Sequence, residues 1–346
     1  MNRLILVRLL SNRSLKKPTN QIIQRTRSHR NKTLTLSKSE IEKYSERLLQ
    51  INHQVGTKEI LNKIINQDLF TLLDYLPEKF VDLLFIDPPY NLDKVFNAAS
   101  FKEKSVYEYA EWIENFIIKL KRTLKSTASI YFCGDWYTSI SIPLVLEKHF
   151  VIRNRITWER EKGRGAQKNW KNSLEDIWFC TVSNKFTFSA EAVKLNRKVL
   201  APYRDSDGKA KDWQSHENGN YRLTFPSNIW NDISVPFWSM AENTDHPTQK
   251  PEKLLAKLIL ASTKKGDVVF DSFLGSGTSS VVAKKLGRKF VGVEIDKYYA
   301  CLAEKRLELA EKNKTIQGYS HGVFWERNTT PVSIKPARKK QMQLIT

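Results

Sequence analysis

Residues 81–91, VDLLFIDPPYN, limit the fold more than any other stretch of the chain. Residues 81–86 are a short apolar run broken only by Asp82, which predicts a strand buried in a parallel sheet. Pro88 and Pro89 stop that strand, because neither can donate to a sheet ladder and both hold the backbone extended. The loop has thereby lost two N–H donors. It offers carbonyl oxygens and the Asp87 carboxylate, which when ionised only accepts hydrogen bonds. Tyr90 adds an aromatic face. An acceptor corner beside a flat ring suits a flat ligand with an amino group, donating to Asp87 and to the Pro88 carbonyl, as the exocyclic amine of a nucleobase would. Taken alone, four residues also fit a plain Pro-rich turn with Asp87 capping and Tyr90 packing.

A second constellation lies downstream. Residues 267–270 predict a strand feeding DSFLGSGT, Asp271 to Thr278, followed by a helix and then a strand at 290–295 that carries Glu294. Strand, glycine turn, helix and acid-tipped strand are the layout of a nucleoside-binding Rossmann half. Glu294, roughly 20 residues beyond the turn, is placed to accept from a ribose hydroxyl pair. The loop departs from the dinucleotide pattern, since Ser280 stands where the third glycine would be. No Lys-Ser/Thr follows either, and Asp271 would repel a pyrophosphate. An acid there suits an ammonium, and S-adenosylmethionine has an ammonium, a ribose and no phosphate. Asp68, at the end of another predicted strand (59–66), is placed to accept from an adenine amino group. A Gly-rich turn without a ligand is the plainer alternative.

The 346 residues carry a formal charge of +20, which points to a polyanionic partner, nucleic acid first. Ten Lys or Arg and no acid fall within residues 1–39. That composition fits a flexible DNA-contacting arm or a leader without a role, and also an organelle transit peptide. Cys133, Cys180 and Cys301 form no paired motif, so neither disulfides nor a metal site is expected, and a cytoplasmic setting is the default. No apolar run has the length of a membrane span. Residues 159–172, EREKGRGAQKNWKN, are basic and Gly-punctuated. Lys162, Arg164, Lys168, Trp170 and Lys171 are candidates for contacting nucleic acid, although an ordinary solvated loop has the same look.

The joint pattern resembles the N-4/N-6 amino-methyltransferases of DNA in their beta arrangement, with D-P-P-Y ahead of the cofactor loop. The matching stretches are Asn66-Gln67-Asp68, residues 87–91, Ile156-Thr157-Trp158, His246 to Pro251, Asp271 to Thr278 and Gly292-Val293-Glu294. The resemblance implies an α/β Rossmann-like methyltransferase fold with a seven-stranded, mostly parallel sheet and one reversed strand. It also implies S-adenosylmethionine as donor, double-stranded DNA as substrate and base flipping. Asp87, Pro88, Pro89 and Tyr90 would be catalytic. Phe273, Gly275, Ser276, Gly277 and Thr278 would lie with Asp68, Asp271 and Glu294 at the cofactor, and Thr248 and Lys250 near its methionine carboxylate. Asp at the first motif position favours adenine-N6 over cytosine-N4, a preference that rests on the resemblance. A cognate restriction endonuclease and a homodimer are compatible with it. A nicotinamide-dependent oxidoreductase and an inactive DNA-binding protein are the readings from other classes.

These expectations divide the chain into a basic leader and first helix (1–50), a catalytic half (51–158), a target-recognition insertion with a returning strand near 175–183 (159–245), a cofactor half (246–312) and a loosely ordered tail (313–346).

Overall fold

The computed structural model describes residues 28–95, 100–160, 168–200, 203–216, 219–327 and 329. The run at 81–86 becomes the strand Val81–Ile86 and sits in the middle of an eight-stranded sheet. Its neighbours are Val268–Asp271 and Leu124–Gly134, both parallel to it. Every residue of that strand except Asp82 is buried. Asp82 is satisfied by Lys125 at 2.7 Å and by the Val268 amide at 2.9 Å, so one acid is tolerated in an apolar strand.

Beyond Val268–Asp271 the sheet continues in parallel through Lys289–Val293 to Lys63–Ile65. On the other side it runs through Leu174–Thr181, antiparallel to both neighbours, to Val151–Glu159. These are the seven strands with one reversed that the resemblance implies. A two-residue eighth strand, Ile229–Trp230, extends the edge beside Val151–Glu159.

Several local expectations are revised. The strand expected over 59–66 is a helical turn, Thr57–Ile60, followed by the strand Lys63–Ile65, because Asn62 takes a left-handed φ of 59° that breaks the extended run. The first helix, expected within 1–50, is Lys38–Ser45, capped by Ser37 in a capping box with Glu40. The helix Thr138–His149, with Pro143 in its interior, has no clear sequence signal, since its apolar residues follow the helical period only weakly.

The largest revision concerns the insertion and the tail. Leu195–Lys198, Gly219–Thr224 and Gln214–His216 form a second sheet that Tyr319–Ser320 and Val323–Trp325 complete. Phe324 and Trp325 are fully buried there, so the tail is loosely held neither at 319–325 nor where Lys253 Nζ donates to the Trp325 carbonyl. Residues 330–346 lie outside the described part. The leader is likewise anchored from residue 32: Lys32 and Leu34 amides donate to Trp238 and Asn243 carbonyls, and Lys43 and Arg47 pair with Glu308.

The helix Glu252–Ser262 is packed on all sides between the two sheets, and its Lys253 and Lys257 both reach the buried Asp232 at 2.7 Å. Burial lowers Lys257 to about 8 even so, with Asp232 opposing. No helix among the described residues is long and apolar enough to cross a membrane.

Candidate active site

Parallel strands put their carboxyl ends on one edge, and the loops that follow them converge there. That edge holds a cavity of about 350 Å³. The loop after Val81–Ile86 contributes Asp87, Pro88, Pro89 and Tyr90, and the loop after Val268–Asp271 contributes Phe273, Gly275, Ser276 and Thr278 beside Asp271. Asp68, Glu294, Thr248 and Lys250 line the same space. Asp271 is in register with Phe85 on the adjacent strand, so the two loops leave the sheet side by side.

The Asp87 corner is built rigidly. Asn91 pins the loop, its amide donating to Thr138 Oγ1 at 2.9 Å and its side chain exchanging two 2.8 Å bonds with Lys104. The Tyr109 hydroxyl donates to the Pro89 carbonyl at 2.7 Å. Asp87 itself faces a cation: Lys250 Nζ lies 2.8 Å from Oδ1 and 2.6 Å from Oδ2. The Tyr90 hydroxyl donates to Asp87 Oδ1 at 3.0 Å and lies 3.1 Å from Glu175 Oε2, with Lys250 Nζ 5.3 Å from its ring centroid. Glu175 also pairs with Lys250 at 3.3 Å and with Arg160 at 2.5 Å.

Burial pushes Asp87 above the usual carboxylate range, the Lys250 ammonium pulling it back and Glu175 adding to the rise. Burial works against the charge on Lys250, but Asp87 and Glu175 outweigh it and hold the ammonium above its ordinary value. Lys250, expected beside a methionine carboxylate, therefore has its ammonium committed to Asp87.

The loop Asp271 to Thr278 shows the backbone logic expected of its glycines. Gly275 has φ +55°, and a Cβ there would come within 2.9 Å of His246 Nε2. Gly277, at φ +85°, sits behind the turn with the helix residue Ala303 where its side chain would be, so it shapes the loop without lining the cavity. Asp271 accepts from the Ser279 hydroxyl and from the Phe273 amide at 3.1 Å, and burial raises it to about 7. Glu294 accepts from the Gly275 and Asp296 amides at 2.7 and 2.8 Å, and burial raises it to about 7 as well. Asp68 caps the helix Leu69–Leu72, accepting from the Phe70 amide at 2.7 Å. The Thr248 amide donates to His246 Nδ1 at 3.3 Å.

Ser276 and Thr278 are held from behind. Arg306 Nη1 donates to the Ser276 carbonyl at 2.9 Å and to Thr278 Oγ1 at 3.0 Å, and Thr278 donates to the Lys250 carbonyl at 3.0 Å. That last bond ties the glycine loop to the residue beside Asp87. The apolar side of the cavity includes Phe273, Trp112 and Phe101, with Phe273 stacked edge-on against Phe116.

The acids Asp68, Asp87, Asp271, Glu294 and Asp296 line this cavity, and Lys250 is its one Lys or Arg among the described residues. A pyrophosphate would meet repulsion there, whereas a cationic, phosphate-free nucleoside fits the donor set. Among those residues no group of His, Cys, Asp and Glu is arranged to hold a metal, and Cys133, Cys180 and Cys301 are buried and free.

Sequence reasoning missed Glu175, Arg160, Arg306 and Tyr109. Glu175 had a signal, because Glu175-Asp176 inside the apolar strand LEDIWFCT are two acids that burial obliges to find partners. Of the nucleic-acid candidates, Lys168, Trp170 and Lys171 are exposed, Trp170 almost completely. Lys162 and Arg164 lie outside the described residues.

A parallel sheet whose edge joins an acid-lined nucleoside cavity to a D-P-P-Y corner defines the class. A family model described as DNA methylase matches residues 81–305, and the chain belongs to that family. It is 34% identical over 256 residues to the DNA adenine methyltransferase YhdJ of Escherichia coli (strain K12), covering 71% of this chain and 83% of the relative. It is 32% identical over 280 residues to the type II methyltransferase M.BglII of Bacillus subtilis, covering 76% of this chain and 75% of the relative. Among solved structures, the PvuII DNA methyltransferase (cytosine-N4-specific) matches with a TM-score of 0.53 at 18% identity, over 77% of this chain and 94% of that one. A likeness at that identity is one of fold.

Proposed function

We propose that this DNA methylase is a site-specific adenine-N6 methyltransferase that acts on duplex DNA with S-adenosylmethionine as donor. One observation carries the reading: the acceptor corner at Asp87 and the acid-lined nucleoside site at Asp271 and Glu294 share a single cavity. An acceptor amine and a cationic donor placed there would be within transfer distance. The relatives named as adenine and type II methyltransferases support adenine as the base and a cognate endonuclease as the functional counterpart.

Asp271 would hold the cofactor's ammonium, Glu294 its ribose hydroxyls and Asp68 its adenine, with Phe273 against an apolar face. When bound, the cofactor supplies a methyl group on a sulfonium, electrophilic enough to need no further activation. The protein's own part is to make a poor nucleophile usable. An exocyclic amine has its lone pair conjugated into the ring. Accepting its N–H groups at Asp87 and at the Pro88 carbonyl favours pyramidal nitrogen and stabilises the positive charge that grows on it during attack. Tyr90 would stack on the flipped base, worth roughly 1–3 kcal/mol towards the few that flipping costs. The residues from 168 to 171 would contact phosphate and flanking bases.

The test is incubation of unmethylated DNA with the protein and isotopically labelled S-adenosylmethionine, then mass spectrometry of the hydrolysed nucleosides. N6-methyladenine is expected. N4-methylcytosine would transfer the same mechanism to the other amine, and unmodified DNA would overturn the reading.

A further inference from the structure

The geometry points to Glu175 as a positioning residue for methyl transfer, a second seat for the Lys250 ammonium that leaves lone pairs on Asp87 available to the target amine. The inference rests on Asp87 being the amine's acceptor.

An ammonium has three protons to donate. Around Lys250 Nζ stand four acceptors: Asp87 Oδ2 at 2.6 Å, Asp87 Oδ1 at 2.8 Å, the Tyr90 hydroxyl at 3.1 Å and Glu175 Oε2 at 3.3 Å. The ammonium thus occupies the positions at Asp87 that an incoming amine would use. A Lys250 with no other partner would stay there, because separating a buried ion pair leaves both charges uncompensated. Glu175 removes that obstacle. Its carboxylate already faces the ammonium, and a small displacement of Nζ towards Oε2 frees lone pairs on Asp87 without exposing an unpaired charge. Arg160, on the far oxygen of Glu175 at 2.5 Å, keeps the four-group set of Asp87, Glu175, Lys250 and Arg160 neutral. Glu175 comes from the reversed strand Leu174–Thr181, which is what carries an acid to this corner.

The other groups facing Asp87 do not replace this pair. Tyr90 and Tyr109 are phenols that burial keeps protonated, and burial does the same for the Cys133 thiol. Asp271, on the adjacent strand, titrates near 7 and adds negative charge above that. Saturating cofactor, held on Asp271, keeps its ionisation constant during a measurement at Asp87.

The experiment is the pH dependence of the single-turnover methylation rate, with enzyme in excess over DNA and S-adenosylmethionine saturating. Glu175→Gln removes a negative charge beside Asp87, so the acidic limb of the profile is expected about one pH unit lower than in the wild type. Its plateau rate is expected to fall roughly tenfold, because the ammonium then rests on Asp87 alone. Lys250→Met removes the neighbouring cation, and its acidic limb is expected about one unit higher. Cofactor affinity of Glu175→Gln, measured by calorimetry, should match the wild type. A merely structural role for Glu175 would lower the rate without moving the two limbs in opposite directions. Limbs that coincide, shifts of the same sign, or a wild-type plateau in Glu175→Gln would each overturn the inference. Should Lys250→Met not fold, the isosteric Glu175→Gln decides alone. A wild type that transfers no methyl to DNA would instead remove the underlying reading of Asp87, and this inference with it.

Discussion

Lys250 Nζ lies 2.6 Å from Asp87 Oδ2, although 163 residues separate them in the chain. The contact joins the D-P-P-Y loop to the His246–Lys250 segment and gives the buried carboxylate its counter-charge. Removing Asp87 leaves the ammonium with Glu175 at 3.3 Å, so the corner stays paired. Asp87→Ala is therefore expected to remain folded and to bind cofactor and DNA, while its methylation rate falls by about two to three orders of magnitude. Single-turnover assays beside calorimetric binding measurements check this, and a near-normal rate would take Asp87 out of the mechanism.

Burial pushes both Asp271 and Glu294 up to about 7. An ammonium at Asp271 and hydroxyl donors at Glu294 favour the ionised forms, so a ligand that supplies them must displace bound protons below that pH. Affinity for S-adenosylmethionine is expected to rise between pH 6 and 8 and then level off, with proton release on binding. Calorimetry in two buffers of different ionisation enthalpy measures that release. The stability sign follows from the same shifts. The fold holds these protons more tightly than the unfolded chain, so their contribution favours the fold at low pH and is lost as pH rises to about 7.

Gly277 combines φ +85° with Ala303 Cβ at 2.5 Å from where its own Cβ would stand. Gly277→Ala is expected to cost roughly 2 kcal/mol or more, from left-handed strain plus displacement of the helix Lys297–Lys312. Chemical denaturation gives the value, and cofactor affinity should fall in parallel because Ser276 and Thr278 move with the loop.

Asp232 lies between Lys253 and Lys257 and pairs with both at 2.7 Å. Asp232→Asn leaves two buried ammonium groups without a carboxylate and is expected to destabilise the protein by about 3–5 kcal/mol. A denaturation midpoint unchanged from the wild type would show that these lysines reach water or another partner.

Lys168 and Lys171 are exposed beside Trp170, shortly before the strand Leu174–Thr181. If they meet phosphate, each replacement by Ala should weaken DNA binding across all sequences and reduce the salt slope by about one. Titrations at several salt concentrations measure that slope, and slopes equal to the wild type would return the segment to an ordinary solvated loop.

Much of the site was legible because its residues are contiguous and physically unusual. Two prolines ending an apolar strand, or an acid opening a Gly-Ser-Gly turn, state their local geometry without help from the rest of the chain. The helix Thr138–His149 and the second sheet were illegible for the opposite reason. In the first, apolar residues lack a clear helical face, and in the second the strand Leu195–Lys198 pairs with Phe324 and Trp325 from the far end of the chain. The aromatic pair Phe324-Trp325 looks like a stray in a polar tail until the sheet that buries it is assembled.

The sequence alone determined which backbone turns could form, which loops lacked donors, and that an acid would open the glycine turn. These are local properties, set by proline, glycine and the alternation of apolar residues. Only the tertiary structure decided that Lys250 faces Asp87, that Glu175 stands behind both, and that Arg306 holds the glycine loop. Those pairings join residues from different strands and helices. They exist because burying a charge is costly until a partner arrives, and no reading along the chain says which partner the fold will bring.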